Sequence, residues 1–156
     1  MASTSAALLL YRVDPVEVLI GHMGGPFWAR KDAGAWTIPK GAAEGEEDLH
    51  AAALREFAEE LGMPVPDARE PDLPLGEVRQ RSGKRVVAWA RRGTLDVTTI
   101  ASNLAVVEWP PRSGRTMEVP ELDRAAWFTP QDARPLLVSG QAELLDRLVA
   151  ALAAAG

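Results

Sequence analysis

Hydrophobic and polar residues follow a strand-like pattern over most of the chain and a helix-like pattern over two segments. The predicted strands cover residues 6–12, 16–22, 75–81, 85–92, 104–109 and 125–128. The turn residues Asp14-Pro15 lie between the first two strands and predict a hairpin. Ser82-Gly83-Lys84 predicts a second hairpin between the next two. We therefore expect a substantial β-sheet.

The longest helical pattern covers residues 49–61. Asp48 is a suitable N-cap, and Gly62 followed by Pro64 predicts the end of the helix. A last helix is predicted over residues 141–152, and Thr129-Pro130 is typical of a helix start. Strands mixed with a few helices predict a mixed α/β (α+β) layered fold. We expect one domain over residues 1–156.

Three glutamates share one stripe of the predicted first helix. Glu56 and Glu60 are one turn apart, and Glu59 lies about 60° to the other side of Glu56. The neighbouring arc is apolar and forms the expected core face, which places the carboxylates at its margin. The residues of that arc are Leu49, Ala53, Leu54, Phe57 and Leu61. Like charges at this spacing repel one another, so a compensating cation is expected.

Arg55 is one candidate for that cation. It precedes Glu59 by four residues and is within reach of Glu47 near the helix start. One arginine cannot neutralise all of these acids, whereas a divalent ion can. Ligands that are all oxygen favour Mg²⁺, with Mn²⁺ as a substitute, over Zn²⁺. The alternative interpretation is a solvated acidic helix face.

The acidic charge of the chain is concentrated in this segment. Residues 40–60 contain seven acids and two bases, and their net charge of −5 equals that of the whole chain. A sequence pI near 5.1 argues against a stable nucleic-acid partner. The absence of cysteine excludes disulfides and thiol catalysis. No apolar run approaches the roughly 20 residues of a membrane span, so we expect a cytoplasmic protein without a membrane partner.

Residues 41–63 read G-x5-E-x7-R-E-F-A-E-E-L-G-M, which resembles the Nudix box of the Nudix hydrolases with every fixed position present. Residues 36–41 are similar to the segment before the box in members related to diadenosine polyphosphate hydrolases. Residues 121–128 resemble a strand near the C-terminal end of those members. The resemblance implies an α/β/α sandwich with a mixed sheet. It also implies an enzyme that hydrolyses phosphoric anhydride bonds in a nucleoside diphosphate linked to another group.

The resemblance also implies roles for individual residues. Glu56, Glu59 and Glu60 are expected to bind Mg²⁺ together with the backbone carbonyl of Lys40 or Gly41. Arg55 is expected to orient the carboxylates, and Glu47 to support the junction between loop and helix. One glutamate is expected to act as the general base. The candidates are Glu56, Glu59, Glu118 and Glu121.

Five residues are candidates for binding a nucleotide substrate. Lys40 and Gly41 adjoin the start of the box, and Arg30 and Lys31 are candidates for a longer phosphate chain. Trp28 follows a Gly-Gly-Pro turn and is a candidate for stacking on a base. The two histidines have no predicted role: His22 ends a strand without an evident partner, and His50 is expected at the surface.

The favoured substrate is a dinucleoside polyphosphate or a nucleoside triphosphate. An ADP-ribose pyrophosphatase and a pyrophosphatase acting on RNA ends are alternatives, because the box does not separate them. A module that binds nucleotides without turnover is an alternative from a different class. Degenerate modules of that kind usually lose box acids, and here every acid is present. The sequence leaves the oligomeric state open.

Overall fold

A seven-stranded mixed sheet forms the centre of the structure. The computed structural model describes residues 4–155; residues 1–3 and 156 of the predicted domain lie outside the described residues. The strands are Thr4–Arg12 (β1), Glu17–Met23 (β2), Trp36–Thr37 (β3), Lys40–Ala42 (β4), Leu73–Arg79 (β5), Arg85–Arg92 (β6), Leu104–Glu108 (β7), Thr116–Pro120 (β8) and Leu122–Phe128 (β9). The main path of the sheet is β3-β2-β1-β6-β5, with β4 paired to β1 and β9 paired to β2. Strands β7 and β8 form a separate hairpin.

Strand β1 lies at the centre of the sheet and is buried on both faces. It pairs in parallel with β6 and antiparallel with β2 and β4. Ala6, Leu8 and Leu10 pack on one side of the sheet, whereas Ala7 and Leu9 pack on the other. A continuous apolar run of this kind is expected for a strand that is covered on both sides. The two sides of β1 therefore belong to two separate core clusters.

Helices cover both faces of the sheet. The helices are Leu49–Leu61 (α1), Pro130–Ala133 (α2) and Ala142–Ala155 (α3). Ala52, Ala53, Phe57 and Leu61 of α1 pack in one core cluster, and Leu144, Leu145 and Leu148 of α3 pack in the other. The result is the predicted α/β/α sandwich with a mixed sheet. Among the described residues, no helix is both long and apolar enough to cross a membrane.

The limits of α1 agree with the sequence prediction. The Asp48 carboxylate accepts a hydrogen bond from the backbone N–H of Ala51 at the start of the helix. Gly62 ends it in the left-handed conformation, with φ of 67°. A Cβ atom at this glycine would lie 2.0 Å from the backbone oxygen of Ala101. Both the turn and the close approach of the neighbouring chain therefore require glycine.

The hydrophobic pattern missed three strands, β3, β4 and β8, and misplaced the start of β9. Strand β8 was not predicted, because four of its five residues are exposed or partly exposed and its sequence lacks a clear alternation. Its pairing with β7 defines it, with Val106 opposite Glu118. Strand β9 begins at Leu122, three residues before the predicted start. Pairing with β2 extends it across Asp123 and Arg124, whose polarity hides the strand in the sequence.

His50 lies at the surface as predicted, with 38% of its side chain exposed, but it makes contacts that were not predicted. Its Nε2 lies 2.7 Å from Asp72 Oδ2, and its ring stacks on Trp89 at 4.8 Å between centroids. Arg91 donates two further hydrogen bonds to the same carboxylate, which is 2% exposed. The cluster fastens the proline-rich segment after α1 to the sheet. Sequence reasoning missed it because Asp72 lies 22 residues from His50.

Candidate active site

Arg55 lies at the centre of a group of acidic side chains on and before α1. Its Nε and Nη2 donate to the two Glu47 carboxylate oxygens at 2.8 and 2.9 Å. Nη2 also donates to the carbonyl oxygen of Ala42 at 3.1 Å. Nη1 donates to Glu56 at 3.0 Å and to Glu59 at 3.2 Å. One planar guanidinium therefore fixes the loop before the helix and two of its carboxylates at the same time.

These contacts change the acidity of the groups involved. Hydrogen bonds from Arg55 lower the pKa of Glu47 to about 2. The pKa of Arg55 itself is raised above its ordinary value, chiefly by Glu47. Burial raises the pKa of Glu56, although the charge of Arg55 opposes the shift. Glu47 is therefore a permanent anion that holds Arg55 in place.

Gly41 makes room for the Glu56 carboxylate. A Cβ atom at this position would lie 2.0 Å from both Cδ and Oε2 of Glu56. Strand β4, which carries Gly41, pairs with the first residues of β1, with Gly41 opposite Ala6. The sheet thus holds the glycine directly against the helix, and any larger residue would displace Glu56.

Glu60 is the most deeply buried acid of the site, with 6% of its surface exposed. Its Oε2 is buried without a hydrogen-bond partner among the described residues. Burial raises the pKa of Glu60 to about 9, and the adjacent Glu121 carboxylate adds to the shift. In the metal-free protein this shift favours the protonated form of Glu60 near neutral pH.

A cavity of about 250 Å³ opens next to this pair. Glu60, Glu121 and Lys40 supply its charged wall. Trp28 lies on another wall, and the inner face of the β7–β8 hairpin contributes Val107. The cavity thus combines an apolar surface large enough for an aromatic group with a charged wall on α1 and β4.

Lys40 is partly buried in the charged wall. Burial and the nearby Lys84 lower its pKa from the ordinary lysine value, whereas Glu60, Glu121 and Glu56 oppose the shift. Its position between carboxylates and open space suits contact with a phosphate group. Lys40 and Trp28, two of the predicted substrate contacts, therefore line the same cavity, and their role in binding stays a prediction.

Arg30 and Lys31 lie on the same loop as Trp28 but outside the cavity lining. Arg30 is exposed. The Lys31 ammonium lies over the Phe27 ring, 3.4 Å from its centroid. The structure thus brings Trp28, Lys40 and Gly41 to the acidic helix, and it leaves these two basic residues at the outer side of the loop. Their role with phosphate stays a prediction.

A buried amide network supports the strand segment before Lys40. Gln141, which is fully buried, accepts a hydrogen bond from the backbone N–H of Ile38 at 2.8 Å. Its amide nitrogen donates to Thr37 Oγ1 at 3.0 Å and to Gln80 Oε1 at 2.9 Å. Thr37 and Gln80 both line the cavity. Sequence reasoning missed this network because Gln141 is more than one hundred residues from Thr37.

The chemistry of the donor set fits a hard divalent cation. Within the described part of the chain, the buried Glu60 oxygen has no hydrogen-bond partner, and the neighbouring carboxylates and carbonyls are oxygen ligands. Among residues 4–155, however, no three acidic or histidine side chains converge as a finished metal cage. Glu56 and Glu59 instead face Arg55. An ion that keeps several waters needs few protein carboxylates, and Mg²⁺ has that property.

Comparisons with known proteins agree with this architecture. The C. elegans Ap4A hydrolase, solved as a binary complex, superposes with a TM-score of 0.65 at 22% identity, covering 96% of this chain and 98% of that one. The NUDIX domain of Shewanella oneidensis NrtR, complexed with ADP ribose, gives a TM-score of 0.64 at 14% identity, covering 97% and 89%. At these identities the likeness shows the fold.

Sequence comparisons identify the family. An RNA pyrophosphohydrolase of Novosphingobium aromaticivorans is 41% identical over 59 residues, which is 35% of this chain and 37% of that relative. The match therefore spans little more than a third of the relative's length. The family model of the NUDIX domain matches residues 3–148, nearly the whole chain. Together with the complete box on α1 and its α/β/α setting, this match shows that the chain belongs to the Nudix family.

Proposed function

We propose that the chain is a single-domain, Mg²⁺-dependent pyrophosphohydrolase that cleaves a nucleoside diphosphate linked to another group. The observation that carries the proposal is the buried Glu60, which lies beside Glu121 at the wall of an open cavity and has one oxygen without a hydrogen-bond partner among residues 4–155. Ionising this buried carboxyl group is costly, and a divalent ion held by Glu60 would offset that cost and neutralise charge on a pyrophosphate.

Each side chain of the site has a distinct task in this proposal. Glu56, Glu59 and Glu60 would hold the ion, and the carbonyl of Gly41 would be a further ligand. Arg55 orients Glu56 and Glu59, and Glu47 fixes Arg55. When bound, the ion supplies charge neutralisation at the pyrophosphate and lowers the pKa of a coordinated water.

The acids proposed as general base differ in their surroundings. Glu56 and Glu59 lie outside the cavity lining, and each accepts a hydrogen bond from Arg55 through one carboxylate oxygen. Glu118 projects from the hairpin on the side of the exposed Val106. Glu121 lines the cavity and is free of Arg55. These positions support Glu121 as the base that accepts a proton from the attacking water.

The similar proteins support a nucleotide substrate without selecting one. Their names include an Ap4A hydrolase, a NUDIX domain with ADP ribose and an RNA pyrophosphohydrolase. The apolar cavity wall with Trp28 suits a nucleobase, and Lys40 suits the adjoining phosphate. We favour a dinucleoside polyphosphate or a nucleoside triphosphate as the substrate class. The cavity can serve either substrate, because only one nucleotide unit of each has to enter it.

The direct test is a panel of Ap4A, nucleoside triphosphates, ADP-ribose and 5′-triphosphorylated RNA, each with Mg²⁺ or Mn²⁺. Products are identified by mass after reaction in ¹⁸O-labelled water, which locates the phosphorus that is attacked. We expect metal-dependent release of a nucleoside monophosphate or diphosphate. Tight binding of a nucleotide without turnover would instead support a sensing module.

Replacing Arg55 with alanine is expected to lower kcat by about 10- to 100-fold, as for other residues that orient metal ligands. The unfolding free energy should fall by about 1 kcal/mol, because the ion pairs of Arg55 are partly solvated, and Tm by roughly 3 °C. Steady-state kinetics and thermal unfolding measure the two effects.

Arg55→Lys separates charge from geometry in that experiment. A single ammonium retains the charge but cannot hold Glu47 through two parallel hydrogen bonds. We expect it to recover part of the stability and little of the activity. The matched control is Arg134→Ala, which removes a surface pair with Asp146 on α3 away from the site. Equal kinetics for Arg55→Ala and this control would contradict the orienting role.

A further inference from the structure

His22 is fully buried, and each of its ring nitrogens faces an oxygen. Nδ1 lies 2.9 Å from Asp123 Oδ1, and Nε2 lies 2.7 Å from the carbonyl oxygen of Lys31. A carbonyl oxygen only accepts hydrogen bonds, and so does an ionised carboxylate. A neutral imidazole carries one N–H and would leave the other nitrogen against a second acceptor. Both contacts are satisfied only when both nitrogens carry protons.

The surrounding charges are consistent with an imidazolium at this position. Asp123 Oδ1 also lies 3.4 Å from Arg124 Nη1, which favours the ionised carboxylate. Arg124 Nη2 lies 3.6 Å from Asp32 on the loop. The edge of the Trp36 ring packs against His22 at 5.3 Å between centroids. The Lys31 ammonium is directed to Phe27, so only the backbone oxygen of Lys31 faces the imidazole.

A β-bulge brings Asp123 to His22. In the pairing of β2 with β9, His22 is opposite Arg124 and Met23 is opposite Leu122, so the register skips Asp123. A bulge of this kind changes the direction of a side chain at the point where a strand bends. Here it places a carboxylate from β9 beside a histidine from β2, next to the loop that follows β2.

The carbonyl of Lys31 connects this pair to the cavity. The loop of residues 24–35 is bonded to the sheet at its two ends, by Gly24 N–H to the Glu121 carbonyl and by Met23 N–H to the Ala35 carbonyl. Between these ends, Lys31 N–H donates to the carbonyl of Trp28 at 2.9 Å. A contact that fixes the position of Lys31 therefore also restrains Trp28, which is bonded to Lys31 within the same turn and lines the cavity.

We propose that His22 is a positioning residue: as an imidazolium clamped between Asp123 and the Lys31 carbonyl, it fixes the 24–35 loop and thereby the wall of the cavity formed by Trp28. Loss of one proton turns one of the two contacts into a repulsion between acceptors, which loosens the loop. The expected effect on KM rests on the proposed function, whereas the charge of His22 and the order of the loop do not.

The charge is tested by NMR of protein with ¹⁵N-labelled histidine, without metal or nucleotide. His50→Gln assigns the two imidazoles, because His50 is the other histidine of the chain. We expect both His22 nitrogens to carry protons at pH 7. Asp123→Asn supplies an amide N–H to Nδ1, so His22 should become neutral with its proton on Nε2. A neutral His22 in the unchanged protein, or a charged His22 in Asp123→Asn, would overturn the clamp.

The positioning role is tested by His22→Gln, which can bond to only one of the two acceptors as a donor. Amide hydrogen exchange at Lys31 and Ala35 should accelerate by about tenfold, as expected for the loss of one buried hydrogen bond. On the substrate found in the panel, KM should rise by a similar factor with kcat nearly unchanged. Unchanged exchange in a folded variant would overturn the role. Should this variant not fold, Asp123→Asn tests the same loop: a neutral His22 holds the Lys31 carbonyl through a weaker hydrogen bond than an imidazolium, so exchange at Lys31 should accelerate by a smaller factor, and unchanged exchange would overturn the role.

Discussion

Replacing Glu60 with glutamine is expected to lower kcat by about 10²- to 10⁴-fold and to raise the stability of the metal-free protein. The loss of activity follows because the proposed ion contributes several kcal/mol to the transition state and each 1.4 kcal/mol is worth about tenfold. The gain in stability follows because Glu60 is buried beside Glu121 and its Oε2 has no hydrogen-bond partner among the described residues. Kinetics with Mg²⁺ and unfolding in EDTA measure the two effects.

The same variant should change how stability depends on pH. The folded-state pKa of Glu60 is raised to about 9, far above the ordinary value of 4.5. Between about pH 5 and pH 9 the folded protein therefore keeps a proton that the unfolded chain has lost. The unfolding free energy should fall as the pH rises through this range, by up to about 1.4 kcal/mol per pH unit. In Glu60→Gln this contribution is absent.

The unfolding free energies of Glu60→Gln and the unchanged protein are measured in EDTA at about pH 5.5, 7.0 and 8.5. The difference between the two proteins at each pH isolates the contribution of Glu60. Glu46→Gln is a matched control, since Glu46 is an exposed acid of the same segment. Parallel pH profiles for Glu60→Gln and the unchanged protein would mean that Glu60 is ionised near pH 7. Normal kcat in Glu60→Gln would remove this residue from the proposed ligand set.

Much of the fold was predictable because its strongest signals are local. The helix of the box is defined by an N-cap, an apolar arc and a terminal glycine that are all within fifteen residues of one another. The hairpin of β5 and β6 follows from a turn between two β-rich runs. The acidic stripe of α1 was predictable for the same reason, since residues one turn apart on a helix share a face.

The remaining parts of the site depend on contacts between distant segments. Glu121 is one of four candidates for the base, and its position beside Glu60 is not evident from the sequence. Asp123 is 101 residues from His22, and the bulge that joins them has no signature in the sequence. Such pairs are specified by strand register, which the sequence pattern alone does not give. They also lie where β9 begins, which the pattern placed three residues too late.

Replacing Glu121 with glutamine is expected to lower kcat by about 10²-fold or more, the usual contribution of a general base. The fold should tolerate the change, because Glu121 is fixed through its backbone: its N–H donates to the Asn103 carbonyl, and its own carbonyl accepts from Gly24. Glu118→Gln is the matched control, three residues earlier on the hairpin. It should leave kcat unchanged.

Glu121→Gln and its control Glu118→Gln should also differ in how their metal-free stability depends on pH. The Glu121 carboxylate adds to the pKa shift that burial causes at Glu60, so its removal should relieve part of that shift. Glu121→Gln should therefore weaken the pH dependence of metal-free stability, whereas Glu60→Gln abolishes it, and the double variant should resemble Glu60→Gln. Glu118→Gln should retain that dependence. Loss of activity in Glu118→Gln with normal activity in Glu121→Gln would transfer the role of base to the outer face of the hairpin. Because Glu118 lies opposite the exposed Val106, that result would require the hairpin to turn over when substrate binds.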